Sequence, residues 1–94
     1  MSYEPTAEIK ALLNQQIVVD TDSSYVYIGR LVSAGSDYLM LADVDVHDTV
    51  DSKNSKGHYA HETRKLGVQP NRKEVLVRMG RVLSLSKLED VIRF

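Results

Sequence analysis

The stretch from Tyr25 to Val46 constrains the fold most strongly, because apolar residues alternate along two runs that flank the turn sequence Ala-Gly-Ser-Asp at 34–37. A period of two is the period of a β-strand, so the stretch predicts a long β-hairpin. Both faces of the first run carry apolar residues, which favours a strand of a small barrel over a strand with one solvent-exposed face. Gly29 interrupts this run and predicts the bend that a small barrel needs.

The segments around the hairpin predict a helix before it and further elements after it. Pro5 suits a first helical turn, and Ile9, Leu12 and Leu13 follow at helical spacing. The predicted order in one domain, 1–94, is a helix at 4–14, strands 1 to 3 within 16–47, an insertion with a short helix at 48–73, and strands 4 and 5 with a C-terminal extension at 74–94. The predicted fold is mainly β, with an N-terminal α-helix followed by a five-stranded, strongly bent antiparallel sheet that closes into a small barrel.

Length, charge and cysteine content limit the classes of protein to consider. The chain has 94 residues, which suffices for one domain but not for a cleft between two. It has no cysteine, no basic and apolar leader, and no apolar run of about 18 residues, so we expect a cytoplasmic protein with no membrane partner. The formal net charge of -1 gives no global attraction for nucleic acid, so any such binding must come from a local patch.

Two short sequences resemble the motifs of the Sm/LSm family. The first motif has an aromatic or aliphatic residue, a glycine and a leucine at alternate positions, and the second has an arginine and a glycine between aliphatic residues. The matching residues are Tyr27, Gly29 and Leu31 for the first motif, and Val77, Arg78 and Val82 for the second. Family members have an N-terminal helix and a five-stranded barrel of the SH3 type. The resemblance covers most of the chain except the insertion, and it implies this Sm-like fold.

The chain departs from the family at the loops that bind RNA. Its turn between strands 2 and 3 is one residue shorter, which puts Tyr38 where family members usually carry the asparagine that binds a base. Met79 occupies the glycine position of the second motif, and Gly80 follows one place later. The resemblance implies single-stranded RNA as a partner, bound with weak sequence preference by stacking on Tyr38 and by contacts of Arg78 with base or phosphate. The candidate RNA-binding residues are Asp37, Tyr38, Arg78, Met79 and Gly80.

The resemblance also implies assembly. Family members form rings by pairing strand 4 of one subunit with strand 5 of the next, so we expect a homo-oligomeric ring. The apolar segment 75–79 would be a poor free edge, and ring closure removes free edges. An alternative function is a structural or protein-interaction ring that has lost the RNA site. The missing asparagine, the displaced glycine and the near-zero net charge favour that alternative.

The insertion carries cations that suggest a second binding surface. Between residues 43 and 74, acidic residues come mostly first and basic residues mostly last. In a ring the basic residues would form a repeated rim, and repetition would multiply a weak attraction for phosphate. An ordinary solvated helix and loop explain the same pattern equally well. The residues of this basic rim are Lys53, Lys56, Arg64, Lys65, Arg72 and Lys73.

Two groups of polar residues have the chemistry of metal ligands. They are Asp43, Asp45 and His47 on one strand face, and His58 and His61 on the predicted insertion helix. We favour a solvent-facing polar side for the strand group and exposed positions for the histidines of the helix, whose order differs from the zinc-protease motif. No patterned nucleophile, phosphate-binding glycine loop or carboxylate pair stands out, so we predict no enzyme, no cofactor and no metal.

Overall fold

The computed structural model describes residues 6–50 and 55–92. Helices and strands follow one another in the predicted order. They are α1 (Ala7–Lys10), β1 (Gln16–Thr21), β2 (Tyr25–Ala34), β3 (Tyr38–Asp48), α2 (Lys56–Leu66), β4 (Arg72–Arg78) and β5 (Val82–Lys87). Two 3-10 turns, Met79–Arg81 and Leu88–Asp90, precede and follow β5. The mainly β fold, with a helix at its start and a helical insertion between β3 and β4, is therefore confirmed.

The five strands form one antiparallel sheet in the order β4-β3-β2-β1-β5. Within the described ranges no backbone pairing joins β4 to β5, so the expected barrel is not closed by hydrogen bonds inside one chain. The reason is the corner at Met79–Arg81, which is bonded to two different turns. The N–H of Met79 donates to the carbonyl of Asp37 at 2.8 Å, and the N–H of Asp22 donates to the carbonyl of Arg81 at 3.0 Å. These bonds direct β4 and β5 to opposite edges of the sheet.

The principal core consists of side chains on the inner face of the bent sheet. Its buried members are Ile17, Val19, Leu31, Leu39, Leu41, Val44 and Val77. Removing this apolar surface from water is the main driving force for the fold. No helix within the described residues is long and apolar enough to span a membrane.

The N-terminal helix is shorter than the predicted range 4–14, since α1 ends at Lys10 and turns follow it. Thr6 caps α1 by accepting a hydrogen bond from the N–H of Ile9 at 3.3 Å. Asn14 ends the turns because it has a positive φ of 65° and donates its N–H to the carbonyl of Leu31 on β2 at 2.7 Å. Residues 4 and 5 of the predicted helix lie outside the described residues. The apolar side chains of this segment, Ile9, Leu12 and Leu13, still pack on the principal core as their spacing suggests.

Gly29 lies where β2 passes closely over β3. The register between the two strands shifts after Ile28, and Asp43 on the opposite strand has a positive φ of 52°. A side chain at position 29 would place its Cβ 3.1 Å from the carbonyl oxygen of Ala42 and from the Cα of Val44. The glycine therefore permits the close approach of two strands at the bend.

The insertion helix α2 covers the other face of the sheet. Ser55 caps its first turn by accepting a hydrogen bond from the N–H of His58 at 3.1 Å, and Gly67 ends it with a φ of 89°. Ala60 packs in a second buried cluster with Val18, Val26, Ile28 and Leu88. Helical spacing suggests that Tyr59, Thr63 and Leu66 face inward, but this is wrong for Leu66, which is exposed at the last turn. The insertion is also shorter than predicted, because β4 begins at Arg72.

Candidate nucleic-acid interface

The turn between β2 and β3 and the corner between β4 and β5 lie side by side. Tyr38, the first residue of β3, is the backbone partner of Arg78, the last residue of β4. The hydrogen bond from the N–H of Met79 to the carbonyl of Asp37 continues this pairing beyond the strands. Two loops that are far apart in sequence are thus held together by backbone bonds.

Tyr38 and Arg78 present an aromatic face and a cation to solvent at this place. The guanidinium carbon of Arg78 lies above the Tyr38 ring, 6.0 Å from its centroid. Tyr38 is 42% exposed, although it is a large aromatic residue at the start of a central strand. A cavity of about 560 Å³ opens beside the pair. It is lined by Ser36, Asp37, Tyr38, Arg78, Gly80 and Arg81.

Four of the five predicted RNA-binding residues line this cavity, and the fifth has a different position. Asp37, Tyr38, Arg78 and Gly80 line it. Met79 is partly buried and packs on the principal core, so it supports the site through its backbone N–H. A Cβ at Gly80 would meet no atom within 4 Å, so no steric requirement for glycine exists there.

Sequence reasoning missed Ser36 and Arg81, which also line the cavity. Both are close neighbours of predicted residues in the chain, and this proximity was the only available signal. Arg81 has a partner outside the cavity, because its Nε lies 3.3 Å from a carboxylate oxygen of Asp22. It is therefore less free than Arg78 to contact a ligand.

The residues of the basic rim are scattered over the molecule. The Nζ of Lys56 donates to the carboxylate of Asp20 at 2.6 Å and to the carbonyls of Thr21 and Ser23 at 3.0 and 2.7 Å, so it is bound to the turn between β1 and β2. The Nε of Arg64 donates to the carbonyl of Glu89 at 3.0 Å. Lys65 on α2 and Arg72 and Lys73 at the start of β4 are exposed, and Lys53 lies outside the described residues.

The strand group of potential metal ligands does not form a solvent-facing side as expected. Asp43 is exposed and lies 4.0 Å from Arg30, whereas Asp45 and His47 are partly buried beneath α2. Asp43 leaves the strand alternation because of its positive φ. Asp45 accepts a hydrogen bond from the side chain of Asn71 at 3.4 Å. The three side chains therefore do not form one group that could hold a metal ion.

The imidazole of His47 stacks on the ring of Tyr59, with centroids 3.7 Å apart and planes 8° apart. Its Nε2 is buried and has no hydrogen-bond partner among the described residues. Burial, together with the nearby Asp45 carboxylate, raises the pKa of Tyr59 well above its usual value. This stack attaches α2 to the end of β3.

The histidines of α2 lie away from the stack. His58 is exposed, and the Nδ1 of His61 lies 3.9 Å from a carboxylate oxygen of Glu62. In the part of the chain that the structure describes, no three histidine, cysteine, aspartate or glutamate side chains are grouped so that they could hold a metal ion.

Comparison with known proteins identifies the fold. No model of a protein family matches the sequence, and no curated protein matches it either. Among solved structures, the chain is similar to an Sm protein of Pyrococcus abyssii in complex with a uridine heptamer. The TM-score is 0.61 at 17% sequence identity, and the match covers 90% of this chain and 99% of that one. The helix, the five-stranded sheet and its strand order, taken with this match, show that the chain has the Sm fold.

Proposed function

We propose that the protein forms a homo-oligomeric ring and binds single-stranded RNA, with weak sequence preference overall, in the cavity between the β2–β3 turn and the β4–β5 corner. The observation that carries the proposal is the apposition of Tyr38 and Arg78 at 6.0 Å beside an open cavity. The Sm protein of Pyrococcus abyssii that shares this fold is in complex with a uridine heptamer, which supports RNA as the class of ligand.

The distance between Tyr38 and Arg78 is close to, but shorter than, the spacing that an inserted base requires. A flat base between the ring and the guanidinium needs about 7 Å, which is twice a contact distance of about 3.5 Å. The observed 6.0 Å is about 1 Å too short, and rotation of the exposed Arg78 side chain would supply the difference. Any base offers a π-face, so stacking of this kind accepts many sequences.

The charges at the cavity support weak binding by one subunit. Arg78 and Asp37 have opposite signs, and Arg81 is paired with Asp22. One unpaired cation gives little attraction for a phosphate chain, so stacking must supply most of the affinity. A ring that repeats the site would raise the affinity by multivalency.

The sheet edges support a ring. β4 and β5 lie at opposite edges of the sheet, and each carries an exposed leucine, Leu76 on β4 and Leu83 on β5. An edge strand with exposed apolar residues is a template for pairing with another strand. Pairing β4 of one subunit with β5 of the next covers both edges and closes the assembly.

Fluorescence anisotropy with short labelled oligoribonucleotides at low salt tests RNA binding. Tyr38→Ala and Arg78→Ala should each weaken binding by about tenfold, which is typical of the loss of one stacked base. Lys73→Ala is the matched control, because Lys73 is an exposed cation on the same strand at some distance from the cavity. Absence of binding by the wild-type ring at micromolar concentration would refute the proposal.

Sedimentation velocity tests the ring separately. The wild-type protein should sediment as an oligomer, and Leu83→Asp should reduce its mass by placing a charge on the β5 edge. Val32→Asp is a suitable control, because Val32 is exposed on β2, an inner strand of the sheet. A wild-type monomer at high concentration would contradict assembly.

The alternative function, a structural or protein-interaction ring, is favoured by the scattered basic rim. Lys56 and Arg64 are bonded to other parts of the chain, so the surface of the insertion offers less positive charge than the sequence suggests. A low ratio of absorbance at 260 to 280 nm together with a co-purified protein would support this alternative. Nucleic acid that remains bound through purification would contradict it.

A further inference from the structure

We infer that Asp37 gives the cavity a preference for guanine among the four RNA bases. The inference rests on the proposed function, because it concerns the base that stacks on Tyr38. It adds one selective contact to a site whose stacking alone accepts any base. Asp37 would accept two hydrogen bonds from the Watson–Crick edge of a guanine.

Asp37 occupies a fixed place at the cavity. It precedes Tyr38 in the chain, and its carbonyl oxygen accepts the hydrogen bond from Met79 at 2.8 Å. Its side chain is exposed and lines the cavity next to Tyr38 and Arg78. The backbone of the carboxylate-bearing residue is therefore held on both sides, by the strand that follows and by the corner between β4 and β5.

The carboxylate of Asp37 is available to a ligand. Within residues 6–50 and 55–92, no lysine, arginine or histidine nitrogen lies within 4.0 Å of it. Arg81 differs in this respect, because it is held by Asp22. An ionised carboxylate has two acceptor oxygens and no donor, so its ligand must supply N–H or O–H groups.

The four bases differ in the donors that they offer to such a group. Guanine presents two adjacent donors, N1–H and N2–H₂, which match the two oxygens of one carboxylate. Uracil has a single N3–H between two carbonyl oxygens, and these would repel the second carboxylate oxygen. Adenine and cytosine each offer one amino group beside a ring acceptor. Of the four bases, only guanine satisfies both oxygens at once.

The absence of a side-chain amide at the site strengthens the argument. An asparagine or glutamine can turn its amide to meet either donors or acceptors on a base. The cavity is lined by a carboxylate, a hydroxyl, two arginines, a phenol and a glycine, so no such adaptable group is present among its lining residues. The carboxylate can only accept hydrogen bonds, so rotation of the side chain cannot change its preference for a base edge that donates them.

Competition between matched oligonucleotides tests the inference. Binding of the wild-type protein is measured by anisotropy for hexamers of alternating guanosine and uridine, of alternating inosine and uridine, and of uridine alone. Inosine stacks as guanosine does but lacks the N2 amino group. The guanosine hexamer should bind about fivefold or more tightly than the other two, which is the lower range of discrimination by a bidentate contact.

Variants at two aspartates complete the test. Asp37→Asn should abolish the difference between guanosine and inosine while RNA is still bound. Asp43→Asn is the matched control, because it removes the same charge from an exposed residue outside the cavity, and it should leave the difference intact.

Three results would overturn the inference, and they are distinguishable. Equal binding of all hexamers, or tighter binding of uridine, would refute the guanine preference and leave the proposed RNA binding intact. A change of preference in Asp43→Asn as large as that in Asp37→Asn would show that net charge is responsible. Failure of every hexamer to bind would refute the proposed function itself.

Discussion

His47 at the end of β3 and Tyr59 on α2 stack face to face, with ring centroids 3.7 Å apart. They form the main aromatic contact between the sheet and the insertion helix in the described structure. Aromatic pairs contribute about 0.5 to 1.5 kcal/mol beyond the area that they bury. The helix is thereby attached at its first turns, next to the buried Ala60.

Replacing Tyr59 should loosen α2 without unfolding the sheet. Tyr59→Ala removes the stack and part of the second buried cluster, so the free energy of unfolding should fall by about 1 to 3 kcal/mol. Urea denaturation followed by circular dichroism measures this change. Tyr59→Phe keeps the stack and should cost much less, and an equal loss in both variants would show that the hydroxyl, rather than the stack, stabilises the fold.

The stability of the protein should decrease at alkaline pH. Burial raises the pKa of Tyr59 and also that of Tyr27, so the folded state favours the neutral phenols. This contribution is fully present below the pKa of tyrosine in the unfolded chain, about 10. It is lost as the pH rises above that value.

Denaturation midpoints measured between pH 8 and 11 check this dependence. Tyr59→Phe should flatten the alkaline decline but not remove it, because Tyr27 contributes in the same direction. An identical alkaline decline in the wild type and in Tyr59→Phe would exclude Tyr59 as a source.

Lys56 should stabilise the fold and have no part in RNA binding. Its ammonium group holds Asp20 and the carbonyls of Thr21 and Ser23 at 2.6 to 3.0 Å. Lys56→Met should lower the free energy of unfolding by about 1 kcal/mol, since the group is partly exposed. RNA affinity should be unchanged in Lys56→Met. Lys65→Met is the control, because it removes an exposed cation from the same helix. Weaker RNA binding by Lys56→Met, at unchanged stability, would show that Lys56 belongs to a basic surface that binds RNA.

Gly29 and Gly80 should respond differently to alanine. At position 29 the new Cβ would lie 3.1 Å from backbone atoms of β3, so the strands must separate, and we expect a loss of about 1 to 3 kcal/mol. At position 80 there is nothing within 4 Å, so Gly80→Ala should leave stability unchanged. Thermal denaturation of the two variants compares them directly. Equal stability of both would mean that the bend at Gly29 can relax freely.

The strands of the fold could be predicted because the pattern that indicates them lies within each short segment of the sequence. Alternation of apolar residues from Tyr25 to Val46 reports which side chains point inward, and Gly29 marks the bend. The end of the turns that follow α1 could not be predicted in this way, since it depends on a hydrogen bond from Asn14 to Leu31 on β2. The periodicity of apolar residues gives no information about such long-range hydrogen bonds.

The candidate site was predictable in part through the positions of Tyr38 and Arg78 in two motifs. Their pairing across the sheet places them together, as the family resemblance implies. The contacts of the basic residues could not be predicted, because Lys56 and Arg64 are hydrogen-bonded to groups more than 20 residues away in the sequence. Asn71 is a further example, because its side chain bonds both the N–H and the carbonyl of Val46 at 3.0 Å.

The corner Met79–Arg81 is tied at one end to the β2–β3 turn and at the other to the β1–β2 turn. One residue inserted or deleted between Met79 and Arg81 would break one of these two hydrogen bonds, whatever its side chain. Loop length is therefore under stricter control here than residue identity. Variants that change the length of this corner should destabilise the fold, whereas the residue at Gly80 can be exchanged, because a Cβ there would meet no atom within 4 Å.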